Sequence, residues 1–147
     1  MNMQVEFLTK SSDIIREWDA LSPLFQSVIS RAAHGEFTVD DLHALAIGGK
    51  IQVGLVRQAG SIILALAFEF KSYPQKLAIN FLAIGGKKLD SVIARFSETF
   101  QKWAQDAGVD WIEAFCSPAM ARILARYQYI TTYQLVRLDL KPKGEAP

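Results

Sequence analysis

The sequence contains few of the residues that build disulfide-rich or metal-binding proteins. Its 147 residues include one cysteine, Cys116, and two histidines, His34 and His43. A single cysteine excludes an intrachain disulfide and a multi-cysteine zinc site, and the spacing of the two histidines is not typical of metal ligands. We therefore expect no metal site, and we expect the protein to work in a reducing compartment.

Charged residues are also scarce, and neither sign dominates. Only 21% of the residues are charged, and 16 Lys+Arg stand against 15 Asp+Glu, for a net charge of +1. Nucleic-acid-binding domains are usually strongly basic, so we expect no nucleic-acid partner. The sequence also lacks a run of about 18 uncharged apolar residues and the features of a secretory signal, which predicts no membrane segment and a cytoplasmic location.

Half of the residues are hydrophobic, which is enough apolar material for one buried core in a chain of this length. The composition shows no linker, so we expect one domain over residues 1–140 and a flexible tail over residues 141–147.

The periodicity of the apolar residues and the positions of capping and turn residues predict an alternation of helices and strands. The first third is predicted to hold a strand at 4–8, a helix over 14–21, a second helix restarted at Ser22-Pro23, and a short helix opened by Thr38 and Asp41. The remainder is predicted to hold a hairpin of 51–57 with 62–70, a central strand at 77–84, a long helix at 89–107, a strand at 109–116, a helix after Ser117-Pro118 and a last strand at 130–140.

The hexapeptide Leu-Ala-Ile-Gly-Gly-Lys occurs twice, at 45–50 and at 82–87. The first copy ends a predicted helix and the second ends a predicted strand, and their flanking sequences do not match. We interpret the identity as coincidence rather than internal duplication.

Two segments in the second half of the chain carry motifs, the stretch WAQDAGV at 103–109 and the stretch ARILARYQY at 121–129. The first resembles the "WAREAGV" ending of the main helix in the GNAT acetyltransferase superfamily, and the second resembles the A-x-x-L-Y-x-x-x-G-F region of that superfamily. The order of the elements is similar over nearly the whole chain, in particular to phage-encoded GNAT-like proteins. The resemblance implies an α/β (α+β) fold, in which a mixed central sheet of about six strands is flanked by helices and splays in a V between the central strand and the next.

In that superfamily acetyl-CoA binds in the V-shaped gap, with its pyrophosphate on backbone N–H groups at the N-terminus of the long helix. Carried over to this sequence, one side of the gap is formed by Leu82, Ala83 and Ile84 of the central strand. The far side is formed by residues 114–117, where Cys116 and Ser117 would line it.

Two registers are open for the loop that holds the pyrophosphate. An ungapped alignment places the loop at 88–93, where Lys88 and Ser91 fit but Ile93 fills a position that needs a small residue. The alternative is Gly85-Gly86-Lys87-Lys88, which offers a flexible backbone and two lysines but lies several residues too far from the helix. An ordinary strand-to-helix turn with solvated lysines explains the same four residues.

Many members of the superfamily use a tyrosine near the Gly-Phe pair to protonate the departing thiolate. Here Leu124 occupies that position, Gln128-Tyr129 stands for Gly-Phe, and Tyr127 is the candidate acid. Glu69 and Glu113 lie in predicted strands among apolar residues. Each is a candidate general base if burial raises its pKa, and otherwise a solvent-facing or ion-paired residue.

The resemblance implies an acyl-CoA-dependent N-acetyltransferase that moves an acetyl group from acetyl-CoA to a small-molecule or protein amine of unknown identity. The departures from the motifs leave an alternative open, a GNAT-like structural or accessory protein without the chemistry, encoded by a phage or prophage and associated with the virion. A homodimer formed through an apolar edge strand is a further hypothesis.

Overall fold

A computed structural model describes residues 3–87 and 89–141 of the chain, so most of the predicted tail lies outside the described residues. The elements are β1 (Met3–Leu8), α1 (Ser11–Ala32), α2 (Val39–Ile47), β2 (Gln52–Gln58), β3 (Ser61–Ser72), β4 (Leu77–Gly86), α3 (Leu89–Asp106), β5 (Trp111–Ala114) and α4 (Pro118–Ala125). Over these ranges no helix is both long and apolar enough to cross a membrane.

The strands form one mixed sheet in the order β1-β2-β3-β4-β5. From β1 to β4 each strand runs antiparallel to the one before it, and β5 runs parallel to β4 because α3 carries the chain back along the sheet. The hairpin between β2 and β3 turns at Ala59 and Gly60, both of which have positive φ. The predicted α/β fold with a mixed central sheet is confirmed.

The sheet has five strands in the described residues, where about six were predicted. The predicted last strand at 130–140 has no regular secondary structure from 130 to 139, and β5 is the last strand of the sheet. The apolar alternation of this segment is typical of a strand, but a strand also needs a neighbour to pair its backbone N–H and C=O groups. The sequence pattern does not show whether such a neighbour is present.

Helices cover both faces of the sheet and enclose a core on each. On one face α1 and α2 bury Trp18, Leu21, Phe25 and Leu42. On the other face α3 packs through a stripe that comprises Val92, Ile93, Phe96, Phe100 and Ala104. The apolar face predicted for the long helix is therefore confirmed as core.

Aromatic rings fill the centre of the second core around Phe100, which is 1% exposed. The centroids of five rings lie 5.2 to 6.0 Å from its own, and these belong to Phe7, Phe68, Phe81, Phe96 and Trp103. This cluster joins α3 to β1, β3 and β4, and it fixes the position of α3 relative to the central strand.

Helix α1 runs through Pro23, where the sequence predicts a break between two helices. Proline lacks the backbone N–H and crowds the preceding turn, at a cost of about 3 kcal/mol in a helix interior. Leu21 and Phe25, on either side of Pro23, are both fully buried against the sheet. The predicted break is wrong, because burying one continuous apolar face offsets the cost of the proline.

Candidate active site

The sheet opens between β4 and β5. The two strands pair only over Ala78–Phe81 of β4, although β4 continues to Gly86. Beyond Phe81, no described strand pairs with this edge of β4, so its backbone N–H and C=O groups are turned toward the opening. This opening is the predicted V-shaped gap, and the backbone of Leu82, Ala83 and Ile84 forms one side of it.

A β-bulge lies where the gap begins. Phe81 of β4 pairs with Phe68 of β3 and Ala83 pairs with Ala67, which leaves Leu82 as an extra residue without a β3 partner. An extra residue bends a strand and increases its twist. The bulge at Leu82 therefore accounts for the divergence of β4 from β5.

The end of the β4–β5 pairing that is farther from the gap is closed by a reciprocal pair of hydrogen bonds. The backbone N–H of Asp110 donates to the carbonyl of Leu77 at 2.8 Å, and the N–H of Leu77 donates to the carboxylate of Asp110 at 2.9 Å. These bonds tie the start of β5 to the start of β4, so the two strands diverge in one direction only.

The two sides of the sheet supply different surroundings to the gap. Leu82 packs toward the core under α1, whereas Ile84 packs on the α3 side. There a small apolar cavity is lined by Phe81, Ile84, Ile93, Phe96, Leu124 and Tyr129. The gap therefore has free strand backbone at its edge and an apolar side under α3.

Gly85 and Gly86 have a packing role at the end of β4. A Cβ atom at Gly85 would lie 2.3 Å from the carbonyl oxygen of Leu24 in α1, and one at Gly86 would lie 2.3 Å from the carbonyl oxygen of Ile63 in β3. Only glycine permits such close approach of backbones. The two glycines belong to the strand and let α1 and β3 pack closely against it.

The turn from β4 into α3 is very short. Lys87 is exposed, and its backbone N–H donates to the carbonyl of Ile63 at 3.0 Å. Lys88 lies outside the described residues, and α3 begins at Leu89 with Ser91 exposed in its first turn. The first N–H groups of a helix have no intrahelical acceptor, so this end of α3 is suited to an anion beside the gap.

Tyr129 reaches the apolar cavity from the segment after α4. Gln128 has a φ of 74°, a conformation that glycine adopts most easily, which agrees with its place at the Gly of the Gly-Phe pair. Tyr129 follows, with its ring centroid 6.4 Å from that of Phe81. Burial raises the pKa of Tyr129 to about 12, so its hydroxyl keeps its proton at neutral pH.

The predicted candidate acid, Tyr127, packs against the core on the α3 side and does not line this cavity. Tyr129 is not predicted as a site residue from the sequence, because the resemblance places it at the Phe of the Gly-Phe pair. A tyrosine in a position that otherwise takes an apolar ring was the signal that could have identified it.

Glu69, Asn80 and Glu113 lie side by side on β3, β4 and β5, and we call them the polar row. Because side chains alternate along a strand, Asn80 faces the α1 side of the sheet, opposite to Phe81 and the cavity. The Nδ2 of Asn80 donates to Oε2 of Glu69 at 2.8 Å. Asn80 is 5% exposed, and its Oδ1 has no hydrogen-bond partner among the residues that the structure describes.

The free Oδ1 of Asn80 is a buried acceptor without a donor, which is costly unless a ligand or water supplies one. Glu69 fixes the orientation of the Asn80 amide, because an amide rotated by half a turn would place Oδ1 against the Glu69 carboxylate. Glu69 and Glu113 are predicted site residues but Asn80 is not, although it is a polar residue within the apolar run 77–84.

Glu113 is held in place by two donors. Its carboxylate accepts the hydroxyl of Tyr73 at 2.9 Å and the indole N–H of Trp111 at 2.8 Å. The hydrogen bond to this carboxylate raises the pKa of Tyr73. These contacts fix one end of the polar row, whereas Glu69 forms the other end.

Cys116 and Ser117 follow β5 beyond its last paired residue. The Oγ of Ser117 accepts the N–H of Met120 at 3.2 Å, so this side chain caps α4 as predicted. Cys116 is exposed, and partial desolvation of its sulfur raises the pKa of the thiol. A raised pKa disfavours the reactive thiolate. Within the described ranges no three His, Cys, Asp or Glu side chains come together as a candidate metal site.

Solved structures share this architecture. The chain matches an aminoglycoside acetyltransferase from an uncultured soil metagenomic sample in complex with sisomicin, with a TM-score of 0.64 and 15% identity over 96% of this chain and 97% of that one. It matches a ribosomal-protein-alanine N-acetyltransferase from Brucella melitensis biovar Abortus 2308, with a TM-score of 0.69 and 11% identity over 96% and 99%. The fold is that of the GNAT acetyltransferases.

A third GNAT structure contains a CoA-derived ligand. It is AAC(6')-Iy in complex with the bisubstrate analog CoA-S-monomethyl-acetylneamine, which matches with a TM-score of 0.70 and 11% identity over 97% of this chain and 100% of that one. No family model matches the sequence, and no curated protein matches it significantly. The likeness to GNAT proteins is therefore one of fold at low sequence identity.

Proposed function

We propose that this chain binds acetyl-CoA in the gap between β4 and β5 and transfers the acetyl group to an amine. The observation that carries the proposal is the splay at Leu82, which leaves strand backbone free between two layers of helices. Free backbone N–H groups on one edge of a strand are suited to hold the oxyanion that forms when a thioester carbonyl is attacked.

The residues at this end of the sheet fit the remainder of such a ligand. The first turn of α3 would receive the pyrophosphate, with Ser91 in that turn and Lys87 and Lys88 directly before it in sequence. Gly85 and Gly86 would contribute by keeping the end of β4 close to α1 and β3. Cys116 and Ser117 would flank the ligand from the other side of the gap.

The polar row supports an amine as the acceptor. Asn80 Oδ1 is a buried acceptor in need of a donor, and Glu69 and Glu113 place carboxylates on both sides of it. An amine supplies N–H donors and, when protonated, a positive charge, so it satisfies both requirements. The structures in complex with sisomicin and with an acetylneamine-containing analog are GNAT proteins bound to amine-bearing ligands.

We assign the base to the polar row and the acid to the tyrosines on the opposite face of the sheet. The neutral amine attacks the thioester carbon, and the C–S bond breaks as the C–N bond forms. The proton lost by nitrogen passes to Glu69 or Glu113, and the sulfur receives one from the hydroxyl of Tyr129 or Tyr127. The glutamate then releases its proton to solvent and the tyrosine takes one up from solvent, so the net reaction yields an amide and free CoA.

Titration calorimetry with acetyl-CoA tests the ligand. We expect saturable binding of acetyl-CoA that weakens about 10-fold when Lys87 and Lys88 are both replaced with alanine, because two cations near the phosphates are lost. The matched control is Lys50→Ala, since Lys50 ends the first copy of the same hexapeptide, next to α2. No heat and no thermal shift at millimolar acetyl-CoA would contradict the proposal and favour a GNAT-fold protein without this chemistry.

Glu69→Gln tests the acceptor end of the site. Glutamine can still accept the hydrogen bond from Asn80 but removes the charge, so we expect kcat/KM for a cationic amine to fall about 10-fold or more. A rise in KM alone would assign Glu69 to binding, whereas a fall in kcat would assign it to proton transfer. Glu98→Gln, an exposed change on α3, is the control. Unchanged kinetics in Glu69→Gln would remove this residue from the site.

A further inference from the structure

A positive charge lies against two aromatic rings near the turn between β3 and β4. The ammonium nitrogen Nζ of Lys71 is 5.5 Å from the centroid of the Tyr73 ring and 5.8 Å from the centroid of the Phe115 ring. Both distances are within the roughly 6 Å over which the negative face of an aromatic ring attracts a cation. We call Tyr73 and Phe115 the aromatic clamp, and the cation that it holds belongs to the chain itself.

The aromatic clamp flanks the Glu113 end of the polar row. The hydroxyl of Tyr73 donates to the Glu113 carboxylate at 2.9 Å, and Phe115 follows Glu113 by two positions in the chain. Lys71 follows Glu69 by two positions on β3, so the alternation of side chains along a strand puts both on one face of the sheet. The carboxylate of Glu113 therefore adds negative charge beside the clamp.

Three contacts fix the ring of Tyr73 before any ligand binds. Its backbone N–H donates to the carbonyl of Lys76 at 2.8 Å across the turn, and its hydroxyl is bonded to Glu113. The ring centroid lies 5.7 Å from that of Trp111, whose indole N–H donates to the same carboxylate at 2.8 Å. A ring that is already held in place loses little conformational freedom when it binds a ligand.

The spacing of the clamp suits a cation that is larger than a primary ammonium group. Carbon atoms in contact lie about 3.5–4.0 Å apart, and a carbon–nitrogen single bond is about 1.5 Å long. A nitrogen whose methyl group rests on a ring therefore lies about 5.0–5.5 Å from that ring. The nitrogen of Lys71 stands at 5.5 and 5.8 Å with only hydrogen atoms between it and the rings. The clamp thus has room for a methyl group between the nitrogen and each ring.

The chemistry of the rings favours the same class of cation. A primary ammonium group is strongly hydrated and carries three N–H donors, for which ring faces are poor acceptors. A quaternary ammonium group has no N–H donors, and aromatic rings are its usual partners in proteins. The side chain of Lys71 is long and flexible, so its ammonium group can return to solvent when a better cation enters.

We propose that the aromatic clamp binds the quaternary ammonium group of a ligand, which displaces the side chain of Lys71. Lys71 competes with the ligand, because both place a positive charge on the same two rings. This binding depends neither on acetyl-CoA nor on acetyl transfer.

Proton NMR titration of the full chain with choline tests the proposal. Protons above a ring face resonate upfield, so we expect the methyl resonance of choline to shift upfield and to saturate in the millimolar range. Lys71→Gln should bind choline about 2- to 5-fold more tightly, the factor that one exposed cation–π contact provides. Tyr73→Leu and Phe115→Leu should each weaken binding by at least that factor. Both residues are partly exposed, at 36% and 63%, so we expect the fold to be preserved.

Tyr133→Leu is the matched control, because it removes an aromatic side chain that is 88% exposed and lies outside the clamp. It should bind choline as the parent protein does. A short peptide with trimethyllysine presents the same group as choline, and the tighter binder of the two identifies a protein or a small molecule as its source.

The uncharged analogue of choline, in which a tert-butyl group replaces trimethylammonium, separates charge from apolar contact. It should show no saturable shift. Equal binding of this analogue and choline would overturn the proposal, because the clamp would then be an apolar surface only. The same conclusion would follow if neither the parent protein nor Lys71→Gln bound choline or the peptide, or if Tyr73→Leu and Phe115→Leu both kept the parent affinity.

Discussion

Gly85→Ala is expected to lower the free energy of unfolding by about 3 kcal/mol. The added Cβ would lie 2.3 Å from the carbonyl oxygen of Leu24 and 2.8 Å from Cγ2 of Val28, both in α1. The closer of the two contacts is with helix backbone, which cannot turn away as a flexible side chain could. Overpacking of this kind typically costs about 1–3 kcal/mol, and more where backbone must shift. Urea denaturation with a fixed m value measures the change.

Gly54→Ala is the control for this substitution. Gly54 lies in β2, and a Cβ there would meet the ring of Phe7 at 3.6 Å, an ordinary contact. Alanine in a strand also reduces the entropy of the unfolded chain, so stability should be unchanged or slightly increased. If Gly85→Ala were as stable as the parent protein but failed to bind acetyl-CoA, Gly85 would act in ligand binding and not in packing.

Tyr129→Phe is expected to lower kcat about 100-fold with little change in the affinity for acetyl-CoA. A general acid typically contributes about 10²- to 10⁴-fold to the rate, and phenylalanine keeps the ring that lines the cavity while removing the proton donor. Chromatographic quantification of released CoA measures the rate and avoids thiol reagents that would also react with Cys116. Tyr127→Phe is the paired variant, and its kcat should stay within about 2-fold of the parent value.

The pH dependence of the rate gives a second measure of the acid. With a pKa of about 12, Tyr129 stays protonated through the whole range in which the protein is assayed, so loss of its proton should not reduce the rate below about pH 11.

If Tyr127→Phe lost activity instead and Tyr129→Phe kept it, the roles of the two residues would be reversed.

Much of the fold follows from local sequence patterns. The capping box of α2 forms as predicted, because Thr38 Oγ1 accepts the N–H of Asp41 and the Asp41 carboxylate accepts the N–H of Thr38. The long helix α3 was also predicted within one residue at its C-terminus, since its apolar stripe repeats at helical spacing over many residues. Both features depend on residues close together in the chain.

The features that were missed depend on contacts between distant residues. The continuity of α1 through Pro23 depends on burial against the sheet. Whether residues 130–140 form a strand depends on whether a partner strand is present. The packing role of Gly85 becomes visible only when Leu24 of α1 is placed above it. Asn80 is not predicted for the same reason. The direction of its Oδ1 is set by the hydrogen bond of its amide to Glu69, which lies eleven positions away on the neighbouring strand.

The reciprocal bonds between Asp110 and Leu77 have a mechanical consequence. These bonds and the pairing of Trp111–Ala114 with β4 hold the whole of β5 in place. The chain after Ala114 is not paired with β4, so a change in the width of the gap would displace Cys116, Ser117 and the start of α4 and leave β5 where it is. A bulky ligand and a slender one would therefore be accommodated by movement of this segment, with Ala114 as its fixed end.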